Sequence, residues 1–382
     1  MFNFNFHLPT RIIFGRSVRD ALPVELAGMG ARTILLVTDP GLTQIGLTSQ
    51  ITDPLIREGL AVPTFSAITS NPTSDEVEAG AAIAREIKAD TIVALGGGSP
   101  IDVAKGIALV LANGGAYADY QWGGKAITRR SRPLIAIPTT AGTGSEVSKV
   151  AVVSDPANPF KKGVLSPLMF PHVAIVDPEL TRTLPVQLTA ATGMDAFIHA
   201  LEAFVGRRAN PFTDQLARSA MRTAWTYLPR ACADGEDMAS REQMMLAALW
   251  GGMAMDQAGL GLIHALSGPL TTHLHLHHGL ANALLLPAVL RFNLPAIPLA
   301  RQNLLKELFG LEAGTSEEEL VVALTQFVVN LGLPTSLSQL NIPLELIDWD
   351  IIAEETTRMV LIGNNPRAAL ITDCRLILDE II

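Results

Sequence analysis

Asp90–Ala104 reads DTIVALGGGSPIDVA. Thr91–Leu95 is an apolar run of strand length, Gly96-Gly97-Gly98 breaks it, and Ser99-Pro100-Ile101-Asp102 opens a helix. Ser99 stands where an N-cap belongs, Pro100 suits the first helical position, and Asp102 falls three residues after Ser99, close to a capping box. Three glycines let the backbone approach a ligand. The helix N-terminus offers unpaired N–H groups and a partial positive charge, and together these features suit a pyrophosphate. The pattern is neither GxGxxG nor a Walker loop, so a tight strand-to-helix turn without a ligand stands as its alternative.

Outward from this turn the first half alternates strands and helices. Thr33–Thr38, Val62–Ala67 and Pro133–Ile137 read as further strands, and Leu42–Glu58 and Ser74–Ile87 as helices. This rhythm predicts a mainly parallel sheet flanked by helices. After Asp177-Pro178 strand-like runs become scarce. Helical patterns take over at Thr213–Leu228, Arg241–Ala254, Leu299–Phe309, Glu317–Leu331 and Leu344–Met359. The boundary falls near Leu184-Pro185, giving an α/β dinucleotide-binding domain over 1–184 and a helical domain over 185–382. Asp39 closes the first strand. A carboxylate at that edge accepts both ribose hydroxyls and repels a 2′-phosphate, favouring NAD over NADP; a turn Asp before Pro40 is the plainer reading. Pro138–Ser145, PTTAGTGS, supplies hydroxyl and backbone donors at the same edge, or is an ordinary connection.

The 382 residues suit two domains, and 48% hydrophobic against 17% charged residues is ample for a large core. A net charge of −9 without a long Lys/Arg run argues against a nucleic-acid partner. Cys232 and Cys374 form no CxxC pair and suggest neither a disulfide framework nor a thiolate metal site. The N-terminus lacks the pattern of a signal peptide, so a cytoplasmic location is expected. Gln257–Leu290 contains no Lys, Arg, Asp or Glu but holds five histidines with several Gly and Pro, which fits a buried helix pair around a polar site better than a membrane span.

Asp195 and His199 stand four apart in TGMDAFIHALEAF, on one face of a helix. His264 and His278 follow in the charge-free stretch. One carboxylate and three imidazoles make a plausible divalent-metal site, suited to Fe²⁺ or Zn²⁺. By composition alone His273, His275 and His277 serve equally well, and a lone Asp-x-x-x-His is weak. Glu202 shares the face of Asp195 and His199, either behind the ligands or at the surface.

These segments, in this order, resemble the iron-containing (group III) alcohol dehydrogenases over nearly the whole chain. The resemblance is carried by Pro9-Thr10 through Phe14-Gly15, Gly96–Pro100 with Asp102, Pro138–Glu146, Gly193–Ala196 with His199-Ala200, His264, His278-Gly279 with Asn282 and Leu286-Pro287, and Asn364–Arg367. It implies a dehydroquinate synthase-like architecture and a metal-dependent, NAD-linked enzyme interconverting a small alcohol and its aldehyde. It implies Asp195, His199, His264 and His278 as metal ligands, for Fe²⁺ or alternatively Zn²⁺. It implies Asp39, Asn71, Gly97, Gly98, Ser99, Asp102, Thr139, Thr140, Thr143 and Lys161 as cofactor contacts, with Lys162 adjacent to the last. A homodimer or larger homo-oligomer is expected, with no membrane partner. Oxo-acid or semialdehyde reductases, glycerol-dehydrogenase-like zinc enzymes and a non-catalytic cofactor binder are the competing readings. One departure concerns Gly268, where many members carry a second histidine; it predicts a roomier pocket.

Overall fold

The structure is a computed structural model and describes residues 3–156, 158–312 and 314–382; the side chains of residues 122 and 158–162 lie outside the description. The chain divides into two compact units. One comprises His7–Thr140 and Gly144–Thr183, and the other Leu184–Ile382 with Ala141–Thr143 and the N-terminal residues through Phe6.

In the first unit the strands are β1 (Arg11–Phe14), β2 (Ile34–Val37), β3 (Thr64–Phe65), β4 (Thr91–Gly96), β5 (Leu134–Pro138), β6 (Val150–Asp155), β7 (Asn158–Leu165) and β8 (Val173–Val176). Six of them form a parallel sheet in the order β1-β8-β5-β4-β2-β3, while β6 and β7 pair as a separate antiparallel hairpin. The helices are α1 (Leu22–Gly28), α2 (Pro40–Gln44), α3 (Leu47–Arg57), α4 (Ser74–Glu86) and α5 (Gly98–Asn113). Strand side chains alternate between two cores. Leu35, Val37, Ile92 and Ala94 pack with Val77, Ala81 and Ile107 of α4 and α5. Ile34, Leu36, Val93 and Leu95 pack with Leu26, Ile51 and Leu55 of α1 and α3. Burial on both faces is why these strands read as unbroken apolar runs.

The helix expected over Leu42–Glu58 is two helices, because Gly46 takes a left-handed φ of 76° between them. The expected Ser99 cap is also displaced. Gly97, in an extended conformation, is the N-cap, and the helix begins at Gly98. Ser99 Oγ instead donates to the Ser70 carbonyl at 2.9 Å.

His172, ahead of β8, exchanges two bonds with Leu134: its N–H donates to the carbonyl at 2.8 Å, and its Nδ1 accepts the Leu134 N–H at 3.3 Å. That acceptor role needs a neutral ring, and burial together with Arg130 lowers its pKa from 6.5 to about 4. A folded pKa below the unfolded one gives stability that is complete above pH 6.5 and is lost as pH falls towards 4. For a half-buried ring this component is about 1–2 kcal/mol. Denaturant melts at stepped pH should show it in the native chain and not in His172→Gln; identical slopes would remove the assignment.

The second unit holds α6 (Val186–Val205), α7 (Pro211–Ala233), α8 (Met238–Ala258), α9 (Leu262–Leu274), α10 (His278–Asn293), α11 (Leu299–Leu308), α12 (Glu317–Asn330), α13 (Trp349–Thr357) and α14 (Ile371–Ile381). Every residue of α6 from Thr189 to Val205 is buried, so α6 is the axis around which α7, α8 and α10 pack. The segment His278–Ala296 is long and apolar enough to cross a membrane by length and composition. Here α10 packs against α6, α9, α12 and α14, the arrangement of a core helix.

Candidate functional site

Asp195 and His199 ride one turn apart on α6, as their spacing predicts, and His264 comes from the first turn of α9. Single ligand atoms of these three buried residues lie within 4.8 Å of one another, a grouping able to hold a metal ion. Asp195 Oδ1 stands 3.4 Å from His199 Nε2, 3.4 Å from His264 Nε2 and 3.8 Å from His278 Nε2, the last at the start of α10. The His199 and His264 rings stack at 4.7 Å.

Three imidazole nitrogens facing one carboxylate oxygen at 3.4–3.8 Å are too far for good hydrogen bonds. Donors that share one cation at about 2.1 Å in tetrahedral array stand about 3.4 Å apart, which is this spacing. The Asn282 amide nitrogen donates to Asp195 Oδ1 at 2.8 Å and lies 3.2 and 3.3 Å from His264 Nε2 and His278 Nε2. The donor set is therefore turned inward on a partly positive group, and buried Asn282 Oδ1 and His199 Nδ1 meet no hydrogen-bond partner of normal geometry. These residues fit a divalent cation.

The electrostatics agree. Burial works against the charged Asp195 carboxylate, but His199, His278 and His264 hold it far below the usual carboxylate range. Burial pushes His199 down to about 4, against the pull of Asp195. For His264 burial opposes charge as well, yet Glu202 and Asp195 outweigh it and lift the ring to about 9. A buried proton thus balances part of the acidic charge, a role a cation takes over when it binds.

The other histidines point elsewhere. His273 Nε2 pairs with Glu355 Oε2 at 2.9 Å, His275 is the left-handed C-cap of α9, and His277 is the exposed N-cap of α10. Asn282 lies one helical turn after His278, so helical spacing was the signal for its place here. Gly268 lies one turn after His264. A Cβ there would meet only Met359 Cε, at 3.2 Å, the movable tip of that side chain.

In the first unit, β2, β4 and β5 are neighbours, and their carboxyl ends carry Asp39, the glycine turn and Thr139-Thr140. A Cβ on Gly97 would stand 3.3 Å from Thr140 Cγ2 and Oγ1, and the Thr139 N–H donates to Gly96 O at 3.0 Å. Asp39 Oδ1 caps α2 through the Leu42 N–H at 3.0 Å; the other oxygen takes no part in that cap. Asn71 precedes α4, with its carbonyl bonded by Thr69 Oγ1 at 3.1 Å.

Asp102 faces inward rather than towards Ser99. It accepts from Ser145 Oγ at 2.5 Å and the Val152 N–H at 2.8 Å, with Lys105 Nζ 3.6 Å away. Lys105, fully buried, donates to Ser145 Oγ at 2.7 Å and Val150 O at 2.7 Å. Sequence reading missed this lysine, although its i+3 spacing from Asp102 was a signal. Asp102 and Lys105 together tie α5 to the loop after β5. Thr143 belongs to the helical unit with Ala141 and Gly142. The Lys161 and Lys162 side chains lie outside the described residues.

Comparison with known proteins agrees along the chain. The family described as iron-containing alcohol dehydrogenase matches residues 9–178, and its C-terminal counterpart matches 189–382. The NAD-dependent methanol dehydrogenase of Bacillus methanolicus is 37% identical over 373 residues, covering 97% of each chain. The 4-hydroxybutyrate dehydrogenase of Cupriavidus necator is 39% identical over 94% of each. The crystal structure of a 1,3-propanediol oxidoreductase superposes with a TM-score of 0.94 at 33% identity, covering both chains fully. The chain belongs to the iron-containing alcohol dehydrogenase family.

Proposed function

We propose that this protein is a metal-dependent, NAD-linked dehydrogenase that interconverts a small, uncharged alcohol and its aldehyde. The observation that carries this reading is the convergence of three imidazole Nε2 atoms on one buried oxygen of Asp195. Asp195, His199, His264 and His278 would hold the cation, Fe²⁺ or Zn²⁺ by the chemistry of the donor set. When bound, the cation supplies Lewis acidity towards the alcohol or carbonyl oxygen, and the nicotinamide accepts or donates the hydride.

The chain's own residues supply the rest. Asp195 remains ionised within the apolar interior, and the Asn282 amide orients its Oδ1. The glycine turn and the N-terminus of α5 cradle the pyrophosphate, with Ser99, Thr139 and Thr140 beside it. Asn71, Thr143 and Lys161 are assigned to the cofactor on resemblance alone. Asp39 takes the ribose and disfavours a 2′-phosphate. We place Asp102 as an anchor of the loop after β5, because its oxygens are already engaged within the protein.

Helices α9 and α10 come mostly from the stretch Gln257–Leu290, which holds no Lys or Arg. The one arginine of α10, Arg291, lies beyond that stretch and is paired with Glu318 and Glu380, which favours a neutral substrate over an oxo-acid. Self-association and a cytoplasmic location, expected from the resemblance and the N-terminal sequence, belong to the same proposal. The test is oxidation of NADH or NADPH by metal-reconstituted protein across short aldehydes, semialdehydes and oxo-acids. Neutral aldehydes with NADH should lead by about tenfold or more, the scale of one uncompensated charge. Preference for an oxo-acid, or no turnover by metal-loaded protein, overturns the proposal.

A further inference from the structure

The first turn of α9 carries His264, yet its N-cap is Gly261, which has no side chain with which to cap. The first amide groups of the helix are satisfied from afar. The Leu262 N–H donates to Asn365 Oδ1 at 3.1 Å, and the Ile263 N–H to Glu202 Oε1 at 2.7 Å. Gly261 is what lets both acceptors in: a Cβ there would stand 2.9 Å from Asn365 Oδ1 and 3.1 Å from Glu202 Oε1. Asn365 is itself held by Asn293, whose amide donates to Asn365 Oδ1 at 3.0 Å and whose Oδ1 accepts from Asn365 Nδ2 at 2.6 Å.

Glu202 is buried on α6, and its second oxygen lies 2.6 Å from His264 Nδ1. One oxygen is committed to the helix backbone and the other to the ring, so the carboxylate cannot turn away from either. An ionised carboxylate only accepts, so His264 Nδ1 must carry a proton. The proton that an incoming cation displaces is then the one on Nε2, the atom facing Asp195, and the lone pair falls there. A negative group at a helix N-terminus is also favoured by the helix dipole. His199 lacks this arrangement: among the described residues no carboxylate is hydrogen-bonded to its Nδ1, and its nearest backbone partner is Gly142.

We propose that Glu202 is a positioning residue that holds the proton on His264 Nδ1 and thereby makes Nε2 the nitrogen that gives up its proton to the cation, with Asn365 sharing only the capping of α9. The proposal rests on the ligand assignment given under the proposed function. Outer carboxylates that orient ligating histidines typically contribute about 10- to 100-fold in metal affinity. In Glu202→Gln one amide oxygen must choose between the Ile263 N–H and the ring, and the amide NH₂ faces the other. Either choice disturbs the ring's protonation or the helix start.

Two measurements test this. Proton NMR of the unsubstituted, metal-free protein should show a low-field, exchange-protected resonance assigned to His264 Nδ1–H, retained on zinc loading; its absence overturns the proposal without reference to metal. Chelator competition should give zinc affinity reduced by about 10- to 100-fold in E202Q, with that proton lost. Asn365→Ala should lower the melting temperature yet keep the proton, with zinc affinity within a few-fold of the unsubstituted protein. E202Q binding zinc as the native chain does, or N365A losing affinity equally, overturns the proposal. Failure of the unsubstituted protein to take up zinc or iron sinks the ligand assignment instead, while the NMR result still decides the protonation claim.

Discussion

Asp195→Ala should lose its divalent cation on dialysis and lower kcat/KM for aldehyde reduction by about 10³-fold or more, the effect of removing several kcal/mol of charge stabilisation at the reacting oxygen. Asp195 is the carboxylate on which the three imidazoles converge, and its Oδ1 also accepts the Asn282 amide. Removing it leaves neutral rings to hold a dication and frees the amide to turn. Loss of a direct ligand should exceed the roughly 10- to 100-fold typical of an outer partner. The glycine turn lies in the other compact unit, so NADH titration followed by fluorescence should be nearly unchanged. Added Zn²⁺ or Fe²⁺ should raise the melting temperature of the native chain and leave that of the variant where it was, because a ligand stabilises only the state that binds it. A variant that retains one metal per chain and its turnover would show that the cage lies elsewhere.

How much of this was legible in sequence follows the range of the interactions. Leu35–Val37, Ile92–Leu95 and Ile135–Ile137 are buried on both faces of a parallel sheet, so each announces itself as a local apolar run. Asp195 and His199 are visible as a pair because one helical turn separates them. Composition could not choose His264 and His278 from among five neighbouring histidines; family resemblance pointed to them, and the fold brings their Nε2 atoms to Asp195 while His273 turns to Glu355. Glu202 was ambiguous because its partners, the Ile263 N–H and the His264 ring, lie on a helix remote in sequence.

The errors are equally physical. Ser99 has the right chemistry for a cap, but the extended Gly97 starts the helix two residues earlier. Asp102 has the spacing of a capping box and is drawn off by Ser145 and Val152, remote in sequence and adjacent in space. The hairpin of β6 and β7 escaped notice, although Asp155-Pro156 is a turn signal between its strands.

Gly279→Ala should destabilise the helical unit by about 3 kcal/mol and release His278 from the cage, although it adds one methyl group. A Cβ on Gly279 would stand 2.1 Å from the Ala191 carbonyl oxygen and 2.7 Å from its carbon. Backbone of a buried helix cannot yield as a side-chain tip can. Similar close approaches to α6 occur at Gly251, whose Cβ would meet Ala196 O at 2.8 Å, and at Gly142, against Thr192 O at 2.9 Å. The glycines thus set how closely neighbouring backbone approaches the helix that carries Asp195 and His199. Ala191 lies one turn before Asp195, and Gly279 follows His278 directly, so the clash acts between two of the proposed ligands. Relief by moving α10 outward lengthens the 3.8 Å from His278 Nε2 to Asp195 Oδ1. Gly268→Ala is the matched contrast. Its Cβ meets only the Met359 methyl at 3.2 Å, and alanine within a helix gains up to about 1 kcal/mol over glycine, so it should be neutral or stabilising. Denaturant melts and zinc titrations of the pair decide the matter: if Gly279→Ala melts and binds zinc as Gly268→Ala does, close backbone approach is not what holds His278 in place.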